Sequence, residues 1–384
     1  MHTRRICIIA AILAAVALPV AAQDVAPGLW TARPPIHIFA SPSASSPTGI
    51  FPSQMLQAYG FNQISNQGAG QIVGIVDAYD DPNIEADLAV FSAQFNLPPC
   101  TTANGCFTKV YQTGTPPAGN TGWGEEISLD VEWVHAIAPQ ARIVLVEANS
   151  NSNTDLFGSV QLAVANGASV VTMSFGGGES KSESQWDGYF TAPGVVYFAS
   201  SGDNGHGVEY PAGSPNVVGV GGTTLTIQSD GTYVSESAWN GSGGGTSRYE
   251  PEPSYQLGVQ STGKRTVPDI SYDANPNTGV PVYDSYGGYN WFQVGGTSMS
   301  APQWAALTAI VNSERVALGK ATLNSAPGNN FLANIYTLSA DLHDIAGGRN
   351  GLCPVCKSKV GYDEVTGLGS PKADLVIPAL VALP

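Results

Sequence analysis

Charge is scarce in this sequence. Asp, Glu, Lys and Arg make up only 12% of its 384 residues, and just 15 are basic against 30 acidic. The formal net charge of −15 argues against nucleic acid or an anionic membrane as partner. An acidic surface also suits work in acid, where carboxylates take up protons and self-repulsion falls. Long apolar runs are missing too, with one exception near the N-terminus, so no later segment can span a bilayer. Internal repeats and low-complexity blocks are absent. Cysteine is limited to five residues, which fall at 7, 100, 106, 353 and 356.

The one apolar run, Ile6 to Val20, follows Arg4 and Arg5 and precedes the small pair Ala21-Ala22. That layout is a secretory leader over residues 1–22, and the run is shorter than the ~20 residues of a membrane span. Its removal leaves 13 basic against 30 acidic residues. Cys7 leaves with it. The remaining cysteines form two local pairs, Cys100/Cys106 and Cys353/Cys356, read as short disulfides in an oxidising compartment. The CPVC pair could alternatively serve redox or zinc chemistry, but no matching ligand cluster lies nearby. Residues 23–48 are rich in Pro, Ser and Ala and read as a linker or tail.

From residue 49 to 384 the pattern is that of one domain. QIVGIVDAY (71–79), ARIVLVEA (141–148), ASVVTMSFG (168–176) and GVVYFASSGD (194–203) are continuous apolar runs typical of buried parallel strands. Between them, NTDLFGSVQLAVANG predicts a helix capped by Asn153 or Thr154 and stopped at Gly167. Alternation of this kind predicts an α/β fold, a doubly wound parallel sheet flanked by helices. Sites in such sheets gather at the carboxyl ends of strands, where Asp77, residues 174–176 and Asp203 lie.

In VGGTSMSAPQWAALTAIVNSERVALG (294–319) a Gly-Gly turn delivers Ser298 to a helix N-terminus, with Pro302 expected in the first turn. Unpaired N–H groups there can hold an oxyanion, although Ser298 could also be a plain capping serine. A serine hydroxyl needs a base. Glu126 and Asp130, four apart on the apolar helix GEEISLDVEWVHAIAP, share a face with Cβ atoms about 5–6 Å apart. A buried pair is expected to share a proton, with one pKa raised and the other lowered. Glu125 stands five residues from Asp130 and lies off that face. The competing base is His135, partnered by Asp77.

GTSMSAP (296–302), MSFG (173–176) and IAPQARIVLV (137–146) resemble landmarks of the subtilisin and sedolisin superfamily, in order, from about residue 49 to the C-terminus. Subtilisin-like members carry histidine in a His-Gly-Thr context at the start of the helix. No HGT occurs here, and GEEISLD resembles the sedolisin Glu/Asp pair instead. The resemblance implies a subtilisin-like single catalytic domain and a serine-carboxyl endopeptidase active on protein or peptide substrates at acidic pH. It makes Ser298 the nucleophile and Glu126 with Asp130 the acid–base partner. Asp203, in an SGD context, becomes an oxyanion donor when protonated. It also implies one structural Ca²⁺ held by Asp344, the Ile345 and Gly361 carbonyls, and Asp363, where Lys359 stands in place of a further family glycine. Members of the family carry a long pro-domain, whereas here residues 23–48 separate leader from catalytic region. The expected product is a secreted monomer, periplasmic or extracellular. A neutral Asp77/His135/Ser298 peptidase and a catalytically silent binding protein on the same fold are the alternatives.

Overall fold

A computed structural model describes residues 30–39, 45–325 and 331–384. The expected leader at 1–22 lies outside the described residues. In chain order the elements that position the site are β1 (His37–Ile38), β2 (Ile72–Ala78), α1 (Ile84–Phe95), β3 (Phe107–Tyr111), α2 (Thr121–Ile137) and β4 (Arg142–Ala148). They continue with α3 (Asn153–Ala165), β5 (Val170–Met173), β6 (Val196–Ser200), β7 (Val218–Ile227) and β8 (Tyr233–Ala238). The last are β9 (Ile270–Asp273), β10 (Val280–Asp284), β11 (Asn290–Gly295), α4 (Thr297–Ala317) and α5 (Ala373–Ala382).

The central sheet has eight strands. Seven follow the order β3-β4-β2-β5-β6-β7-β8, and β9 joins β7 as well. All pair in parallel except β8, which runs antiparallel to β7 at the edge. The four strands expected from the sequence are all present, and the fold is the subtilisin-like α/β sheet that was anticipated. Parallel strands covered by helices on both faces must be apolar throughout, and every residue of β2 is buried.

Side chains alternate between the two faces. Val73 and Ile75 pack with Ile127, Trp133, Met299 and Trp304 of α2 and α4. Ile72, Val76 and Ala78 pack with Leu156, Phe157 and Val160 of α3. The same alternation sends Asp77 to the face of α2 and α4. Helix α2 is buried on every side from Trp123 to Ile137. Its Trp133 indole N–H reaches the Pro281 carbonyl at 2.9 Å, which satisfies the polar atom in a dry core.

Two local expectations shift. The cap of α3 is Ser152, one residue ahead of the predicted pair, and its hydroxyl accepts from the Asp155 N–H. Gly167 does end the helix, at φ +90°. In α4 the helix starts at Thr297, so Pro302 is its sixth residue and lies beyond the first turn. Both cysteine pairs are disulfides, so neither supplies thiolates to a metal. Residues 30–39, expected within a tail, lie on the domain, and β1 pairs antiparallel with β11. No helix among the described residues is long and apolar enough to cross a membrane.

Candidate active site

Ser298 is the second residue of α4 and fully buried. Gly296, at φ +129°, forms the turn into the helix. A Cβ there would fall 2.1 Å from the Pro35 carbonyl oxygen and 2.6 Å from Oδ2 of Asp203. Only glycine permits that approach. Pro302 has no N–H to return to the Ser298 carbonyl four residues earlier. The Ser174 hydroxyl lies 3.3 Å from that carbonyl and 2.7 Å from Oδ1 of Asp130. Ser174 therefore ties the nucleophile's helix to the acid-bearing helix, from a position just beyond β5.

Glu126 and Asp130 are fully buried on α2. Neither oxygen of Glu126 has a hydrogen bond of good geometry, yet the nearby Ser298 hydroxyl favours its ionised form. Burial pushes Glu126 well above the ordinary glutamate range, and the charges of Asp130 and Asp77 push it further. Asp130 is also driven up by burial and by Asp77, with Ser174 opposing. The expectation of one raised and one lowered carboxyl does not hold. Both rise, because loss of water penalises every charge in the cluster. Asp77 is a third member, pushed up to about 8 by burial. Its place at a strand end was legible, but sequence reading gave it only a histidine to partner.

His135 is elsewhere. Its Nε2 lies 2.8 Å from the Pro98 carbonyl, and its ring sits by the Cys100–Cys106 disulfide. Burial lowers its pKa. Glu125 faces Asp284 and Tyr289 instead of Ser298.

Asp203 lies just past β6. Its Oδ1 accepts from the N–H and hydroxyl of Thr297, both at 2.8 Å. Its Oδ2 is 3.2 Å from Nε2 of His37, a residue absent from the expected site. Burial raises the Asp203 pKa, while His37 and Thr297 oppose the rise. The Ser298 N–H donates to the Pro35 carbonyl at 3.4 Å. Ser298, Glu126, Asp130 and Asp203 lie in one cluster, together with Asp77 and Ser174.

At the C-terminal loops, Asp344 accepts from the Gly361 N–H at 3.0 Å, and Asp363 accepts from the N–H groups of 359, 365 and 366. Among the described residues the carbonyls of Ile345, Lys359 and Gly361 accept no hydrogen bond. Carboxylate and carbonyl oxygens are hard donors of the kind that Ca²⁺ takes. A second acidic group, Asp81, Asp87 and Asp284, has oxygens within 4.8 Å of one another, each also held by backbone N–H groups.

A twisted parallel sheet with a serine opening one core helix, opposite carboxyls on another, defines an α/β protein of the subtilisin-like class. Residues 113–339 match the family model described as the subtilase family. The chain belongs to the subtilase family, in its sedolisin branch. It is 31% identical over 317 residues to sedolisin of Pseudomonas sp. (strain 101), covering 70% of this chain and 52% of that protein. It is 29% identical over 378 residues to kumamolisin of Bacillus sp. (strain MN-32), covering 88% and 65%. The chain therefore spans half to two thirds of the length of these relatives. The crystal structure of Pseudomonas sedolisin, a serine-carboxyl proteinase complexed with pseudo-iodotyrostatin, superposes with a TM-score of 0.75 at 28% identity, over 88% of this chain and 99% of that one.

Proposed function

We propose that this chain is a secreted serine-carboxyl endopeptidase that hydrolyses peptide bonds in acid. The reading is carried by one observation: a serine at a helix N-terminus faces buried Glu126, whose carboxyl senses the Ser298 hydroxyl. Ser298 Oγ attacks the substrate carbonyl while Glu126 takes its proton. The proton then passes to the leaving amine, and water hydrolyses the acyl-enzyme with Glu126 as base again. Asp130 and Asp77, kept protonated by burial, lie beside Glu126 and spare it two neighbouring charges when it ionises. The Ser298 N–H and a protonated Asp203 hold the oxyanion. An ionised Asp203 would repel that oxygen, so activity is lost as pH rises. Bound Ca²⁺ would be held by Asp344, Asp363 and the carbonyls of 345 and 361, where it would brace the C-terminal loops. The protein acts as a monomer on protein or peptide chains.

The test is hydrolysis of denatured casein from pH 2 to 8 by wild type, Ser298→Ala and Glu126→Gln. The optimum is expected below about pH 5, with Glu126→Gln slowed about 10²–10⁴-fold and Ser298→Ala inactive. Equal rates in all three, or a limb at the imidazole pKa near 6.5, would overturn the mechanism.

A further inference from the structure

Helix α2 carries the acid pair on one face. On another, Gly124, Ser128 and Glu132 follow at a spacing of four, which stacks them along the helix. This second face meets three buried carboxyls brought from three parts of the chain. Asp81 lies in the loop after β2, Asp87 in the first turn of α1, and Asp284 at the end of β10.

The backbone pins one oxygen of each. Asp81 Oδ1 accepts from the Asn83 N–H at 2.9 Å, Asp87 Oδ2 from the Ser285 N–H at 2.9 Å, and Asp284 Oδ1 from the Tyr286 N–H at 2.7 Å. Among the described residues the other oxygen of each takes no backbone donor. Asp87 Oδ1 accepts from the Ser285 hydroxyl at 2.8 Å, and Asp81 Oδ2 has the Ser128 hydroxyl at 3.4 Å. Asp284 Oδ2 is fully buried and accepts nothing. A Cβ on Gly124 would lie 3.7 Å from that oxygen and 3.8 Å from the Asp81 Cβ, so bare helix backbone leaves a gap beside them.

The protein supplies no spare positive charge to fill it. Lys109 donates to the Asp81 carbonyl at 2.5 Å, but Asp80 at 2.6 Å and Glu147 at 2.9 Å already share its ammonium. Glu132 adds an independent sign of a missing partner. It is fully buried, its Oε2 accepts from the Tyr283 N–H at 3.1 Å, and its Oε1 accepts nothing. Asp87, Asp284 and Asp81 are its charged neighbours. Buried carboxylates without a partner are costly, and here four of them adjoin one gap.

From this arrangement we infer that Asp81, Asp87 and Asp284 hold a hard divalent cation, Ca²⁺, which ties α2 to α1 and to the turn after β10. One oxygen from each of the three lies within 4.8 Å of the others. Ligands of Ca²⁺ stand about 2.3–2.6 Å from the ion, so two on the same ion are at most about 5 Å apart. Glu132 lies behind the three as a further negative charge facing the ion. Pro82 and Ala86 are exposed while Ser285 and Tyr286 are half-buried, so the set lies one residue beneath the surface and within reach of solvent. The site is separate from the C-terminal loops, and it clamps the helix that bears Glu126 and Asp130.

The full chain is to be stripped of metal with a chelator and dialysed at pH 7.5. Bound Ca²⁺ is then counted by equilibrium dialysis against CaCl₂ for wild type, for Asp344→Ala, and for Asp344→Ala combined with Asp284→Asn or with Asp87→Asn. Either amide keeps an oxygen for the N–H that pins its position, so it removes a charged ligand and spares the fold. Two positions keep the test readable should one variant not fold. Asp344→Ala is expected to keep one bound ion and to melt at a higher temperature with CaCl₂ than without. Both double variants are expected to lose the ion and that gain. No ion on Asp344→Ala, or an ion held with undiminished affinity by either double variant, overturns the inference. Two ions on wild type assign the second to the C-terminal loops. One ion on wild type, kept by Asp344→Ala and lost with Asp284→Asn, supports this site and removes the other.

Discussion

Ser174 holds one hydroxyl between two helices, and its loss should be felt in both. With Ser174→Ala the Ser298 carbonyl, already without a partner from Pro302, and one oxygen of Asp130 are left bare in a dry site. An unsatisfied buried polar group costs about 1–3 kcal/mol, so the variant should unfold at lower denaturant. Its turnover should fall while KM stays near wild type, because Asp130 no longer holds the acid pair in register. Chemical denaturation and steady-state kinetics check this, and an unchanged turnover would reduce Ser174 to a packing residue. Asp77 illustrates the limit of single-residue reading. Its identity and strand end were visible, but its role depends on which face of the sheet α2 covers.

At the level of elements, the turn from β11 into α4 aims the nucleophile. Gly296 has no room for a Cβ beside Asp203, so Gly296→Ala should displace the start of α4 and lose most activity, read as turnover against a circular dichroism spectrum that stays native. A native spectrum with full activity would contradict the crowding at this turn. The C-terminal loops make a separate prediction. If Asp344 and Asp363 hold Ca²⁺, EDTA should lower the melting temperature of wild type more than that of Asp344→Ala. Equal responses to EDTA in the two proteins would remove the proposed ligands.

Across the whole molecule the buried carboxyls set the pH range of stability. Burial pushes Asp77 up to about 8, Glu183 to about 8 and Asp284 to about 6. Unfolded, each would titrate near 4. Between those values the folded state binds more protons than the unfolded one, so stability falls as pH rises. The melting temperature should therefore be highest near pH 4 and decline toward pH 8, as a calorimetric series would record. A melting temperature that rose over that interval would mean these groups ionise freely in the native protein. The surplus of acidic over basic residues adds self-repulsion in the same direction.

Local sequence determined the elements. Continuous apolar runs required buried strands, the i, i+4 spacing put Glu126 and Asp130 on one helix face, and the Gly-Gly turn set Ser298 at a helix start. Those features follow from backbone geometry over a few residues. What only the tertiary structure decided were the meetings across distance: Asp77 with the pair, Ser174 between two helices, His135 carried away to Pro98. The placement of residues 30–39 in the cleft belongs with them. Such contacts depend on strand order and on which face each helix covers, and no local spacing encodes either.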